Sequence, residues 1–224
     1  MDKTNSVYLE GPIAGCHYVK DRADGGLEAG FSFATAIPNP DATADMKPSE
    51  RIRELMIHRV RVVASALEAS SLRSLAESYR GKAALQPYEV NGGVLLEEGG
   101  EAVVECRMAD LRKAGAIKIT GNNEMSLSGS IDSVSYTDRF ARIILDTGVS
   151  KVSTFFPKKT FPNAWEMIAN GSLKKGSLIS AKGPLMSMKV TDGKRELLTA
   201  VVVPHHMEQI RLREDKRKTS APTL

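Results

Sequence analysis

Residues 154–165 read TFFPKKTFPNAW, and the fold follows from how that stretch is divided. A β-branched and aromatic run over residues 151–156 reads as a strand, and Pro157 ends it. Pro162 then opens a short helix over residues 162–168, with Asn163 as the expected N-cap and Asn170-Gly171 as the stop. The chain has six Phe and one Trp, and Phe155, Phe156, Phe161 and Trp165 all fall here, with Lys158 and Lys159 between them. Rings interleaved with Lys suit a surface that stacks bases and follows a phosphate backbone. The alternative is that the rings fill the end of a small barrel beside a helix, since aromatics dominate cores as well as interfaces.

Around this stretch the second half of the chain reads as strands. Residues 125–134 and 139–145 form two, separated by a turn at 136–138, and 151–156 is the third. After the helix, residues 178–190 form a long strand bent near Gly183-Pro184. Asp192-Gly193 signals a hairpin, and 196–203 is the last strand. HHMEQIRLRE, at 205–214, reads as a short helix.

The first half follows the same order. Strands are expected at 7–18, at 29–37 and at 56–64, with Phe31, Phe33, Thr35 and Ile37 on one face of the second. Residues 21–26 form a turn, and 38–53 a long loop. A helix is expected over 67–79, on the apolar spacing of Leu67, Leu72, Leu75 and Ala76, with Gly81 as its stop. A strand at 82–90, a hairpin turn at Asn91-Gly92-Gly93, and strands at 94–96 and 102–108 complete it, with 109–115 a junction. Three strands, a helix and two strands is the order of the five-stranded Greek-key barrel called the OB-fold. The expected fold is all-β with short helices: two tandem OB-fold barrels, at 1–114 and 115–210, then a charged, disordered tail at 211–224.

At 224 residues, 42% apolar and 26% charged, the chain has an ordinary globular composition. It holds no apolar run long enough to suggest a membrane span and no secretory h-region. Cys16 and Cys106 form neither a metal-ligand spacing nor a disulfide framework, so both are expected as small buried residues in the cytoplasm. The net charge of +4 permits a nucleic-acid partner. His205 and His206 alternate in direction and have no third ligand near, which argues against a metal. The glycine pairs lack the Lys-Ser/Thr of a phosphate-binding loop. No catalytic constellation or cofactor fingerprint is present, so the expectation is a non-enzyme without cofactor.

The first half resembles the bacterial and phage single-stranded DNA-binding proteins. The resemblance rests on NSVYLEGPIAG at 5–15, FSFAT at 31–35 and HRVRVVASALEASSLRSLAESYRGK at 58–82. It implies a protein of DNA replication, recombination or repair that binds single-stranded DNA without strong sequence preference, nucleoid-associated and homo-oligomeric through barrel edges. His58, or the strand at Val7, is the expected oligomer contact. Where the family places a Trp before the His-Arg-Val of its third strand, this chain has Ile57, and residues 62–64 supply no ring. Arg59 and Arg61 remain to reach phosphates. The acidic recruiting tail of the family is replaced by a basic one.

The second barrel therefore becomes the expected main contact. Alternation puts Ala141, Ile143 and Leu145 in its core, and Val152, Thr154 and Phe156 with them. Phe140, Arg142, Lys151, Ser153 and Phe155 then face outward on strands two and three, where OB-folds bind oligonucleotides. Lys158, Lys159 and Phe161 extend that surface, and Lys189, Lys194 and Arg195 on the last hairpin form the opposite wall. Phe156 and Trp165 are assigned to the barrel end. RNA is the alternative ligand. A non-catalytic adaptor of a replication or conjugation complex is the alternative role.

Overall fold

Residues 5–13 (NSVYLEGPI) and 123–131 (NEMSLSGSI) share Asn, Leu, Gly and Ile at the same four positions. These segments sit at the centre of the molecule. A computed structural model of the protein describes residues 4–38, 45–47, 52–81, 86–96, 102–115, 123–159, 162–192, 195–202 and 206–209. The first half runs β1 (Thr4–Asp21), β2 (Leu27–Pro38), β3 (Ile52–Ala64), α1 (Ala69–Ser78), β4 (Pro87–Leu96), β5 (Ala102–Arg107), a 3₁₀ turn (Met108–Asp110) and β6 (Leu111–Lys113). The second runs β7 (Asn123–Tyr136), β8 (Phe140–Asp146), β9 (Lys151–Pro157), α2 (Pro162–Ala169), β10 (Leu178–Gly183), β11 (Leu185–Asp192), β12 (Arg195–Val202) and β13 (His206–Gln209).

Each half closes on itself. In the first, β1 pairs with β2, β2 with β3, β3 in parallel with β5, β5 with β4 and β4 with β1. In the second, β7 pairs with β8, β8 with β9, β9 in parallel with β12 and β12 with β11. The chain bends between β11 and β10 at Pro184, and β10 returns to β7. This is the OB-fold circuit, twice. Buried Phe31, Phe33 and Leu72 fill one barrel, and Ile143, Leu145 and Phe156 fill the other.

The barrels join strand to strand. The first part of β1 pairs antiparallel with the first part of β7, from Thr4↔Ser128 to Leu9↔Asn123. Val7 faces Met125, and these are equivalent positions of the two segments, so a local two-fold axis passes between them. The result is one antiparallel sheet ordered β6-β4-β1-β7-β10-β13 through both barrels. The shared Asn does the same work twice. Val94 N–H donates to Asn5 Oδ1 (2.9 Å) while Asn5 Nδ2 donates to Val94 O (2.8 Å). Leu185 N–H and O are held by Asn123 in the same way, at 2.9 and 2.7 Å. Each side-chain amide replaces a backbone partner where the fourth strand turns away from the first, so no buried backbone group is left bare. Each also reaches the other barrel, Asn5 Nδ2 to Ser150 Oγ (3.2 Å) and Asn123 Nδ2 to Thr35 Oγ1 (3.4 Å).

Several expectations are corrected. Asn91-Gly92-Gly93 is not a hairpin turn, because β4 runs straight through it. There the strand changes partner, from β1 up to Gly92 to β5 from Gly93, and a Cβ on Gly92 would collide with the Glu105 carbonyl. Residues 109–115 contain β6, and His206–Gln209 is a strand rather than part of a helix. Both are short and owe their extended form to the open edge of the fourth strand, β4 for β6 and β10 for β13. Asn163 lies inside α2, one residue after Pro162, so it does not cap the helix. Leu67 precedes α1 and is 95% exposed. Cys106 is buried and Cys16 half-buried, and both are free thiols. The tail at 211–224 and most of the 38–53 loop lie outside the described residues.

The two expected oligomer contacts are engaged within the chain. Between Val7 and Leu9, β1 has β4 on one side and β7 on the other, so neither edge is open. His58 is 1% exposed, with Nε2 2.8 Å from Thr35 Oγ1 and 3.5 Å from Asn123 Nδ2 of the second barrel. Burial holds its pKa down at about 4.

Candidate nucleic-acid interface

The register of β8 against β9 decides which side chains face solvent. Ala141 pairs with Phe156, Ile143 with Thr154 and Leu145 with Val152, and all six are buried. Arg142 therefore faces outward beside Phe155, directly across the strand pair. The guanidinium carbon lies 5.8 Å from the Phe155 ring centroid, within cation–π range. Arg142 Nη2 and Nε also donate to Ser153 Oγ, at 2.9 and 3.3 Å. Ser153, expected outside, is covered by this contact and is buried. Arg142 carries five N–H donors in a rigid fork. Held by a ring and a hydroxyl, it still presents charge to solvent beside a half-buried aromatic.

The other cations are distributed less simply. Lys151 is exposed, and its ammonium pairs with Asp132 at 3.1 Å. Lys158 and Lys159 follow β9, both exposed, and Lys158 Nζ sits 3.6 Å from the Trp165 ring centroid. Trp165 is half-buried rather than core. Its indole N–H donates to Thr137 O (2.8 Å), and its ring meets Tyr136 edge-on at 5.8 Å. It pins the β7–β8 turn to α2 and leaves Tyr136 53% exposed. Tyr136 was missed because it sits at the end of a strand, where it reads as a turn residue.

Phe140 belongs to β8 and Lys189 and Arg195 to the β11–β12 hairpin, in which Asp192 pairs with Arg195. Their side chains, with Phe161 and Lys194 entire, lie outside the described residues. The structure thus brings together Arg142, Ser153 and Phe155, with Lys151 two residues along β9 from Ser153.

On the first barrel, Arg59 is exposed on β3 and Ile57 is 45% exposed beside it. Arg61 Nε lies 2.8 Å from Glu105 Oε2 on β5. The ring missing from β3 is supplied by β1, where Tyr18 lies opposite Gly30 of β2 and is 40% exposed. Among the described residues no three His, Cys, Asp or Glu side chains are grouped to hold a metal, and no helix is long and apolar enough to cross a membrane.

No protein-family model matches the chain, and no curated protein matches its sequence. Solved structures do match in fold. The single-stranded DNA binding protein from Thermus aquaticus superposes with a TM-score of 0.67 at 16% identity, over 99% of this chain and 100% of that one. A deletion mutant of the same Thermus aquaticus protein gives a TM-score of 0.62 at 16% identity, over 97% and 99% of the two chains. At that identity the likeness establishes the fold: all-β with short helices, two OB-fold barrels in tandem.

Proposed function

We propose that this chain is a tandem-barrel member of the bacterial and phage single-stranded DNA-binding protein family. It acts in DNA replication, recombination or repair, in the cytoplasm with the nucleoid. It binds single-stranded DNA by stacking bases and neutralising backbone charge, without a catalytic step. The observation that carries this reading is the Arg142–Phe155 pair on the open face of β8 and β9, a cation and a ring side by side. Stacking serves any base and charge serves any phosphate, so the pair suits a ligand of arbitrary sequence. The fold shared with the Thermus aquaticus protein over its full length supports the same reading. In this proposal the working units are 1–114 and 115–210. Lys158 and Lys159 follow the pair at the end of β9, Phe140, Phe161, Lys189, Lys194 and Arg195 are further proposed contacts, and Lys151 joins when Asp132 releases it.

Self-association is part of the proposal. Among the described residues β6 pairs only with β4, and β13 only with β10, so the joint sheet ends in two strands with an unpaired edge. Those edges suit a second copy of the chain. The test is an anisotropy titration of labelled dT oligomers, with a duplex and an RNA of equal length as competitors, at two salt concentrations. Binding of the single strand that weakens with salt is expected. No single-strand binding at low salt would refute the proposal, and equal or tighter RNA binding would reassign the ligand.

A further inference from the structure

The first barrel carries a cleft that the proposed contact on β8 and β9 does not use. Across the outer face of β1, β2, β3 and β5 the registers place Tyr18 opposite Gly30, Gly30 opposite Arg61, and Arg61 opposite Glu105. A Cβ on Gly30 would collide with the Tyr18 ring, so that ring lies down over the Gly30 backbone instead of standing away from the sheet. Arg61 is held in place by Glu105 at 2.8 Å. In the next row Ser32 lies opposite Arg59, and its hydroxyl is 2.6 Å from His17 Nε2. His17, Tyr18, Gly30, Arg59 and Arg61 border a cleft of about 210 Å³, with Val60 and Val103 also in its lining. Pockets for drug-sized molecules run to roughly 300–1,000 Å³, so this one suits a single ring system.

The second barrel has the same chemistry in the equivalent row. Counting three residues from the matched pairs Phe33↔His58 and Leu145↔Val152, Gly30 corresponds to Arg142 and Arg61 to Phe155. Tyr18, opposite Gly30, corresponds to Ser135, opposite Arg142. One row reads Tyr-Gly-Arg and the other Ser-Arg-Phe. Each presents one ring and one guanidinium, on different strands.

We infer that the Tyr18 cleft receives one base of a bound single strand, stacked on the Tyr18 ring, with the adjoining phosphate at Arg59. This rests on the single-strand reading above and adds a second anchoring point, so that one strand engages both barrels. The polar side chain of His17, held by Ser32, lines the cleft where the rim of a base would lie.

The test uses the full chain and an oligonucleotide of about 30 nucleotides, enough for two barrels at ~4–16 nucleotides each. It carries 5-iododeoxyuridine at scattered positions, and cross-linked peptides are identified by mass spectrometry. Cross-links on the peptide containing Tyr18, as well as on that containing Phe155, are expected. Tyr18→Ala should lose the former and weaken binding about 5- to 150-fold, the range for one lost stacking contact. Tyr18→Phe should restore most of that loss. Gly30→Ala, which places a methyl where the ring lies, should reproduce it with Tyr18 still present. Cross-links confined to the second barrel, with Tyr18→Ala binding as tightly as wild type, would overturn the cleft and leave the proposed function standing. No binding of the wild type in the parallel titration would remove both.

Discussion

Lowering the pH should weaken the junction between the barrels through one residue, His58. Its imidazole is 1% exposed, and its Nε2 faces Thr35 Oγ1 at 2.8 Å and the Asn123 amide nitrogen at 3.5 Å. An amide NH2 only donates, so this setting favours a neutral ring whose Nε2 accepts. Protonation would turn Nε2–H toward that NH2 in a buried setting. The folded pKa is accordingly about 4, against 6.5 for an unperturbed imidazole. Between those values the unfolded chain binds a proton that the folded chain refuses, so stability falls as pH falls. The contribution is intact above about pH 6.5 and is withdrawn progressively down to about pH 4. At 1.36 kcal/mol per unit, the loss is about 2 kcal/mol at pH 5 and about 3 kcal/mol at pH 4, relative to pH 8. That is a large part of the roughly 5–15 kcal/mol that holds a domain folded. The assay is urea unfolding at intervals from pH 4.5 to 8, on wild type and on His58→Gln. Asp24, held down by Arg22, and Glu68, held down by Ser65, also lose stabilising contacts as acid is added, but equally in both proteins. The difference between the two curves isolates His58, whatever constant offset the substitution brings. It should shrink by about 2 kcal/mol from pH 8 to pH 5. Parallel curves throughout that range would refute the reasoning.

Other perturbations follow from the same geometry. Phe155→Ala should weaken single-strand binding by ~1–3 kcal/mol, the usual worth of a stacked base, while Ile57→Ala should change it little, as measured by anisotropy. A larger effect at Ile57 would reverse the division of labour between the barrels. Arg142→Gln should reduce the slope of log K against log salt by about 0.7, one phosphate contact on a single strand, and an unchanged slope would place Arg142 outside the interface. Asn5→Ala and Asn123→Ala should each cost ~1–3 kcal/mol in urea unfolding, because each strands a backbone N–H and C=O at the turn of the fourth strand. Near-neutral values would mean that the amide clamp is not what holds that turn.

The barrels were legible in the sequence wherever one face of a strand is fully buried. Phe31, Phe33 and Thr35 alternate as expected, and so do Ala141, Ile143 and Leu145 against Val152, Thr154 and Phe156. What escaped depends on pairing. β6 and β13 are three- and four-residue segments with no pattern of their own, and only the open edge of the fourth strand makes them extended. Asn91-Gly92-Gly93 has the composition of a hairpin, but the glycines are there because another backbone passes close by. Tyr18 escaped for a different reason. β1 is irregular between Ile13 and Gly15 and again between Cys16 and Tyr18. Each bulge adds one residue to β1 against β2, so the partner that Tyr18 meets, Gly30, cannot be counted along the sequence. Trp165, expected at the barrel end beside the helix, packs against the core only in part, and its N–H and the Lys158 ammonium hold it at the rim.

The two halves agree where the shared sheet constrains them and differ where solvent does not. The repeated Asn has to bridge a backbone N–H and C=O, and no apolar side chain does both. The repeated Gly cannot carry a Cβ, which would collide with the Ala34 carbonyl in one barrel and the Asp146 carbonyl in the other. The repeated Leu and Ile are buried, at Leu9, Leu127, Ile13 and Ile131. These positions flank the two-fold axis at Val7 and Met125, where a change in one strand is felt by both barrels. Outward-facing positions have no such partner. There the ring can stand on the first strand with the cation on the third, as in Tyr18 and Arg61, or the ring on the third with the cation on the second, as in Phe155 and Arg142. Stacking and phosphate neutralisation need a ring and a cation near each other, and neither requires a fixed order of strands. A face selected for that pairing can exchange its residues freely, whereas a face selected for packing cannot. Low sequence similarity between the halves, with Asn, Leu, Gly and Ile repeated in the first strands, is the expected outcome of that difference.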